Sequence, residues 1–286
     1  MANIREIRGR IKSVKSTQQI TKAMKMVSAA KLHRIQGGMD AVKLFAERAR
    51  EIVDALSGVD TDEPLLTPRQ EVKTVCYVVF IGNRGLCSLY NFSLVDKLRE
   101  LLASEEHSAV VVAAGRWGVD EMEDKGLPVI KRFSELSDLP TGDDAASLAD
   151  YMKKLYLSGE ADEIRLVYQQ YHSAFRQTPV CVPFLPVQPT PGGEPPEYLI
   201  EPDRASVVHN ALEIYVDAVV MDALREARQG EQAARMTDMS AATDATTELI
   251  DKLSLDLNRA RQAAITAEIA DIVGGTKAMK AGTIHT

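Results

Sequence analysis

The chain's 286 residues, net charge −7, single Trp, six Phe and three widely spaced cysteines exclude a small disulfide-stapled fold and favour long helices over an all-β core. No apolar run approaches the ~20 residues of a membrane span, and Met1 to Arg5 lack a signal core, so a cytosolic protein that meets membranes only through partners is expected. Charge is uneven: residues 1–50 hold 12 Lys and Arg against 3 Asp and Glu, whereas residues 201–286 hold 9 against 14. A basic start suits nucleic acid, an anionic membrane or an acidic partner helix, and the C-terminal segment is a candidate for that helix.

From Ile4, alternating steps of three and four visit Ile7, Ile11, Val14, Gln18, Thr21, Lys25, Ser28, Leu32, Ile35, Met39, Val42, Ala46, Ala49, Val53 and Leu56. This is a coiled-coil seam without proline, and the helix it predicts would run roughly 80 Å. Two features depart from the ideal. The seam turns polar from Gln18 to Ser28, which either sets register or leaves this stretch free to slide against another protein. Gly37 and Gly38 fall inside the pattern at a cost of about 1 kcal/mol each.

Ser57 and Gly58 close the helix, and residues 60–68 read as a linker. Residues 72–81 are β-branched and aromatic and predict a buried strand; Gly82 to Gly85 turn the chain, and Leu89 to Ala103 follow with helical spacing. Ala109 to Ala114 form a second strand, Arg116 to Lys125 a short helix, and Leu127 to Ile130 a third strand. Asp143 to Leu157 are helical and Ile164 to Tyr168 form a further strand. This alternation predicts a small α/β domain over residues 69–178 with a mainly parallel sheet. Residues 179–202 hold eight prolines and read as an extended connector. Asp203 is a plausible N-cap for a helix of roughly 70 residues, with its seam at Met236, Met239, Thr243, Thr246, Ile250, Leu253, Leu257, Ala260 and Ala264. The expected architecture is a long antiparallel two-helix coiled coil, from residues 1–58 and 203–286, with an inserted Rossmann-like α/β domain.

No constellation carries catalytic chemistry. Gly82-Asn83-Arg84-Gly85-Leu86-Cys87 lies where an α/β domain would bind phosphate, yet it matches neither GxxxxGK[ST] nor GxGxxG, so it reads as a structural turn. Cys87 beside Arg84 has the setting for a lowered pKa but no His or Asp nearby in sequence to make it a nucleophile. The five histidines, at 33, 107, 172, 209 and 285, show no metal-ligand spacing. Asp143 and Asp144 suit helix capping. No catalytic residue, cofactor site or metal site is expected. An α/β enzyme with a pocket at Gly82 to Gly85 is one rival reading. A coiled-coil scaffold or nucleic-acid binder using the basic helix is another, although the interleaved aromatics of single-strand binding are missing.

Four segments, in order along the chain, resemble the gamma subunit of F-type ATP synthases. They are Ile4 to Val27 (IREIRGRIKSVKSTQQITKAMKMV), the turn Arg84-Gly85-Leu86-Cys87, Ala234 to Asp244 (ARMTDMSAATD), and Asn258 to Ile269 (NRARQAAITAEI). The resemblance implies a non-catalytic rotor shaft, one per ring of three alpha and three beta subunits. Such a shaft couples rotation of a membrane c ring to ATP synthesis or hydrolysis. It implies that Met24, Lys25, Arg235, Arg261, Gln262, Thr266 and Glu268 meet the alpha and beta subunits, and that Tyr198 and Glu201 meet the c ring. The epsilon subunit would bind the α/β domain. Nucleic acid is not expected as a partner, and membrane association would run only through the Fo sector, at the cytoplasmic face of a bacterial plasma membrane. Asn83, Ser88 and Leu89 depart from the family's Asp and Gly-Gly, so altered backbone angles are expected in the turn. The chloroplast branch's dithiol switch is absent, since the connector holds only Cys181.

Overall fold

The computed structural model describes residues 4–56, 62–190, 201 and 203–282, with side chains to residue 276. The chain divides into two compact units, Met1–Met26 with Met239–Thr286, and Val27–Asp238. Two long helices contribute to both: α1 (Ile4–Gln36) and α6 (Arg204–Gly282).

In the first unit α1 and α6 lie antiparallel. The expected polar seam is satisfied across the pair rather than left open. Gln18 Nε2 donates to Thr247 Oγ1 at 2.7 Å, the Thr21 and Thr243 hydroxyls meet at 2.9 Å, and Lys25 Nζ donates to Ser240 Oγ at 2.8 Å. Thr21 is buried. The stretch therefore sets register, and Thr21 offers nothing to a sliding partner, which corrects that half of the expectation. Ile7 is buried, and Ile11, Val14 and Gln18 are half-buried, as the seam predicts; Lys25 is exposed and its neighbour Met24 half-buried instead.

The second unit is built on a five-stranded sheet of order β3-β2-β1-β4-β5, made of β1 (Thr74–Val79), β2 (Ser108–Ala114), β3 (Val129–Phe133), β4 (Glu163–Ser173) and β5 (Arg176–Leu185). The first four run parallel, and β5 pairs antiparallel with β4. Helices α3 (Tyr90–Ser104) and α4 (Val119–Asp124) cover one face, burying Leu94, Leu98 and Val119 against Val75, Tyr77 and Val79. The other face is covered by α5 (Gly142–Ser158), α2 (Met39–Ala55) and the first part of α6, which bury Leu148, Val53 and Val216 on Val78 and Phe80. Alternate residues of β1 thus serve opposite faces, the period of a pleated strand buried on both sides.

Two sequence expectations need correction here. Residues 179–185, assigned to the Pro-rich connector, belong to β5. Pro179 and Pro183 are register partners of Gln169 and Arg165 on a strand at the sheet's edge, where a missing N–H is tolerated. The N-terminal helix is also interrupted: α1 stops at Gln36 and α2 starts at Met39. A Cβ on Gly38 would stand 2.6 Å from Arg225 Nη1, so the glycine lets that guanidinium close in from α6. Asp203 caps α6 as expected, accepting from the Ser206 N–H at 2.9 Å and the Ser206 hydroxyl at 2.8 Å. Thr141 and Asp144 form a capping box at α5.

Candidate functional site

In an open parallel sheet, ligands bind beyond the carboxyl ends of the strands, where successive crossovers leave in opposite directions. Here that point lies between β1 and β4. The chain leaves β1 for α3 and β2 on one side, and β4 is reached through α5 on the other. The loop after β1 runs across this crevice, and α6 fills it. Glu231, with its side chain 1% exposed, sits between two arginines spaced three and four residues away on the same helix face. Arg228 Nη1 donates to Glu231 Oε2 at 3.0 Å and to the Ile81 carbonyl at 3.0 Å, while its Nη2 donates to Asn83 Oδ1 at 3.2 Å. Arg235 Nη2 donates to Glu231 Oε1 at 2.7 Å and to the Arg84 carbonyl at 3.0 Å, and its Nε donates to the Gly85 carbonyl at 3.2 Å. The Asn83 N–H donates to Glu231 Oε2 at 3.3 Å. The amide that a phosphate-binding loop would offer to a ligand is thus taken by the chain's own carboxylate. Gly82 permits the approach, because a Cβ there would lie 3.1 Å from Glu231 Cδ and 2.8 Å from Asn91 Oδ1.

The network continues outward. Asn83 Nδ2 donates to the Leu136 carbonyl at 3.0 Å and to Asp138 Oδ1 at 3.3 Å, and Lys31 on α1 bonds Asp138 Oδ2. Burial works against ionised Asp138, but these donors prevail and hold its carboxyl down at about 2. Cys87 goes the other way from the sequence expectation. Burial pushes its thiol up to about 11, against the pull of Arg235, so it is a packed thiol rather than an activated one. Ser88 has φ 46° and Leu86 φ 59°, the left-handed region that favours glycine, whereas Leu89 has φ −78°. The serine therefore takes up a glycine-like conformation. Among the described residues no group of three or more His, Cys, Asp or Glu could hold a metal ion.

The residues assigned to neighbouring subunits fall in different places. Arg235 is buried at 5% exposure and its guanidinium is engaged inside the chain, so it is not a surface contact here; the correction follows from the acceptors that the turn after β1 presents to it. Arg261, Gln262, Thr266 and Glu268 are all exposed on α6. At 100° per residue they share one face with Ile265 and Ile269, which are 48% and 56% exposed. Thr266 Oγ1 bonds back to the Gln262 carbonyl at 2.9 Å. On α1, Met24 is half-buried and Lys25 reaches Ser240. Glu201 is exposed; Tyr198 lies outside the described residues. Arg228 and Glu231 were not singled out from the sequence. Their signal is present in it: charges at 228, 231 and 235 share the face of a long helix that buries its apolar residues a turn earlier.

The sequence model of the ATP synthase family matches residues 3–279. The ATP synthase gamma chain of Desulforamulus reducens is 41% identical over 285 residues, covering 98% of this chain and 100% of that one. The gamma chain of Moorella thermoacetica is 40% identical over 282 residues, with 98% and 100% covered. The chain belongs to the ATP synthase gamma chain family. A solved Euglena gracilis mitochondrial ATP synthase chain shares the fold, with a TM-score of 0.68 at 20% identity over 98% of this chain and 95% of that one. Family membership over nearly the whole length disfavours the scaffold and nucleic-acid readings. No described helix is long and apolar enough to cross a membrane.

Proposed function

We propose that this chain is the central rotor shaft of an F-type ATP synthase, a non-catalytic subunit that couples rotation of a c ring to the nucleotide states of three beta subunits. The observation that carries this reading is membership of the gamma chain family over nearly the entire chain. The face holding Arg261, Gln262, Thr266 and Glu268, interleaved with exposed Ile265 and Ile269, suits transient contact with the alpha and beta subunits. Charged and amide groups give contacts that form and release, and scattered isoleucines offer little continuous apolar grip. Met24 and Lys25, beside Ser240 and roughly 30 Å along α6 from Arg261, make a second contact with the alpha and beta subunits, Tyr198 and Glu201 belong to the foot on the c ring, and the α/β domain offers epsilon its face. The subunit works at the cytoplasmic face of a bacterial plasma membrane, held there through the Fo sector.

Rotation is the direct test. Phe175 is 87% exposed on the α/β domain, so a Phe175→Cys variant can carry a bead while the alpha and beta subunits are fixed to glass. ATP should drive the bead in one direction, with three pauses per turn. A bead that only diffuses refutes the assignment.

A further inference from the structure

The crevice between β1 and β4 has the topology of an anion site, yet a side chain of the same protein occupies it. Glu231 receives two guanidinium groups and one backbone N–H on its two oxygens, at 3.0, 2.7 and 3.3 Å. Arg228 and Glu231 side chains are 2% and 1% exposed, and that of Arg235 6%. Two buried cations round one carboxylate leave an uncompensated charge if the carboxylate is lost, a strongly unfavourable state in a dry interior. The glycine beneath it allows the close backbone approach that oxyanion loops require. Arg228 Nε is buried and has no hydrogen-bond partner, so the cluster holds more donors than Glu231 satisfies. A carboxylate offers two oxygens where a phosphate offers more.

We propose that this crevice is a seat for a small oxyanion which the chain fills with its own Glu231 carboxylate, turning a ligand-binding position into the fastening between α6 and the sheet. Glu231 is thereby a positioning residue. It holds α6 to the Ile81 to Gly85 loop at the last stretch before the helix passes out of the Val27–Asp238 unit. The inference stands on the geometry of that unit and is independent of the rotor reading.

The test uses the full chain with Glu231→Ala, which empties the seat, and Glu231→Gln, which fills it without charge. Each is titrated with inorganic phosphate and with formate while thermal unfolding is followed. The wild-type chain, titrated identically, removes the general stabilisation that an excluded salt gives any protein. Glu231→Ala should melt below wild type and recover by about 4 °C or more, saturably, as either anion binds the vacated seat. Glu231→Gln should melt lower than wild type and gain nothing from phosphate beyond what wild type gains. If Glu231→Ala folds only with phosphate or formate present, the proposal is equally supported. It is overturned if Glu231→Gln is as stable as wild type, since charge would then not hold the helix. It is overturned too if Glu231→Ala gains no more than wild type from either anion, or fails to fold even with them.

Discussion

Replacing Arg228 with Met removes a buried charge while nearly conserving volume, and the structure fixes what is lost. Arg228 is the largest of the fully buried side chains, and its donors serve the Ile81 carbonyl, Glu231 and the Asn83 side chain. The variant leaves two buried acceptors short of a donor, at about 1–3 kcal/mol each, and leaves Glu231 with a single guanidinium. Partial relief comes from the unpartnered Arg228 Nε, whose burial already costs the wild-type chain. Breaking one member out of a buried charge cluster costs about 3–5 kcal/mol, and the relief places Arg228→Met near the lower end. Urea unfolding followed by fluorescence reads this directly. Trp117 is the single tryptophan, and its backbone N–H bonds the Gly82 carbonyl at 2.9 Å, beside the network. The control is Arg259→Met, whose side chain is 79% exposed and whose loss should fall within about 0.5 kcal/mol. A loss below about 1 kcal/mol for Arg228→Met would refute the argument that this cluster fastens the helix.

Three further perturbations have signs set by the structure. Burial, reinforced by Glu226, pushes the Asp222 carboxyl up to about 6, with Lys43 opposing and Glu47 adding to the rise. Its Oδ1 is buried without a hydrogen-bond partner. A folded pKa above the unfolded one gives stability that is present below about pH 4 and lost as pH rises through about 6, so Asp222→Asn should exceed wild type by about 2 kcal/mol above about pH 7 and match it below about pH 4, measured by urea unfolding against pH. Ser88→Gly should raise stability by about 1 kcal/mol by relieving the left-handed backbone at φ 46°; a lower urea midpoint would count against it. For the facing hydroxyls of the helix pair, Thr21→Val alone should cost about 1 kcal/mol, and Thr21→Val with Thr243→Val should cost less than the two single losses together, since the hydroxyls meet at 2.9 Å while each also reaches a carbonyl of its own helix, at Gln18 and Met239. Additive losses in that double-mutant cycle would mean the two hydroxyls do not bond.

The elements with a strong period were legible in the sequence. The seam from Ile4 to Leu56 fell on buried or half-buried positions except at Lys25, because a run of apolar residues at steps of three and four has one way to hide. Strands β1, β2 and β4 announced themselves as β-branched runs buried on both faces. What escaped was decided by tertiary neighbours. β5 read as a connector because its prolines forbid a central strand, and only its position at the sheet edge makes them acceptable. Arg235 was assigned to a neighbouring subunit on motif resemblance, but its role depends on the carbonyls of a turn some 150 residues away in sequence, as do the roles of Arg228 and Glu231. The positions Arg261, Gln262, Thr266 and Glu268 came from the motif alone, and they are exposed like all their neighbours from residue 261 to residue 276.

Native mass spectrometry of the complex that contains this chain, released from its own membranes, tests the central claim most directly. The rotor account predicts one copy of the chain with three alpha and three beta subunits. A homo-oligomer, or an assembly without those subunits, would contradict it.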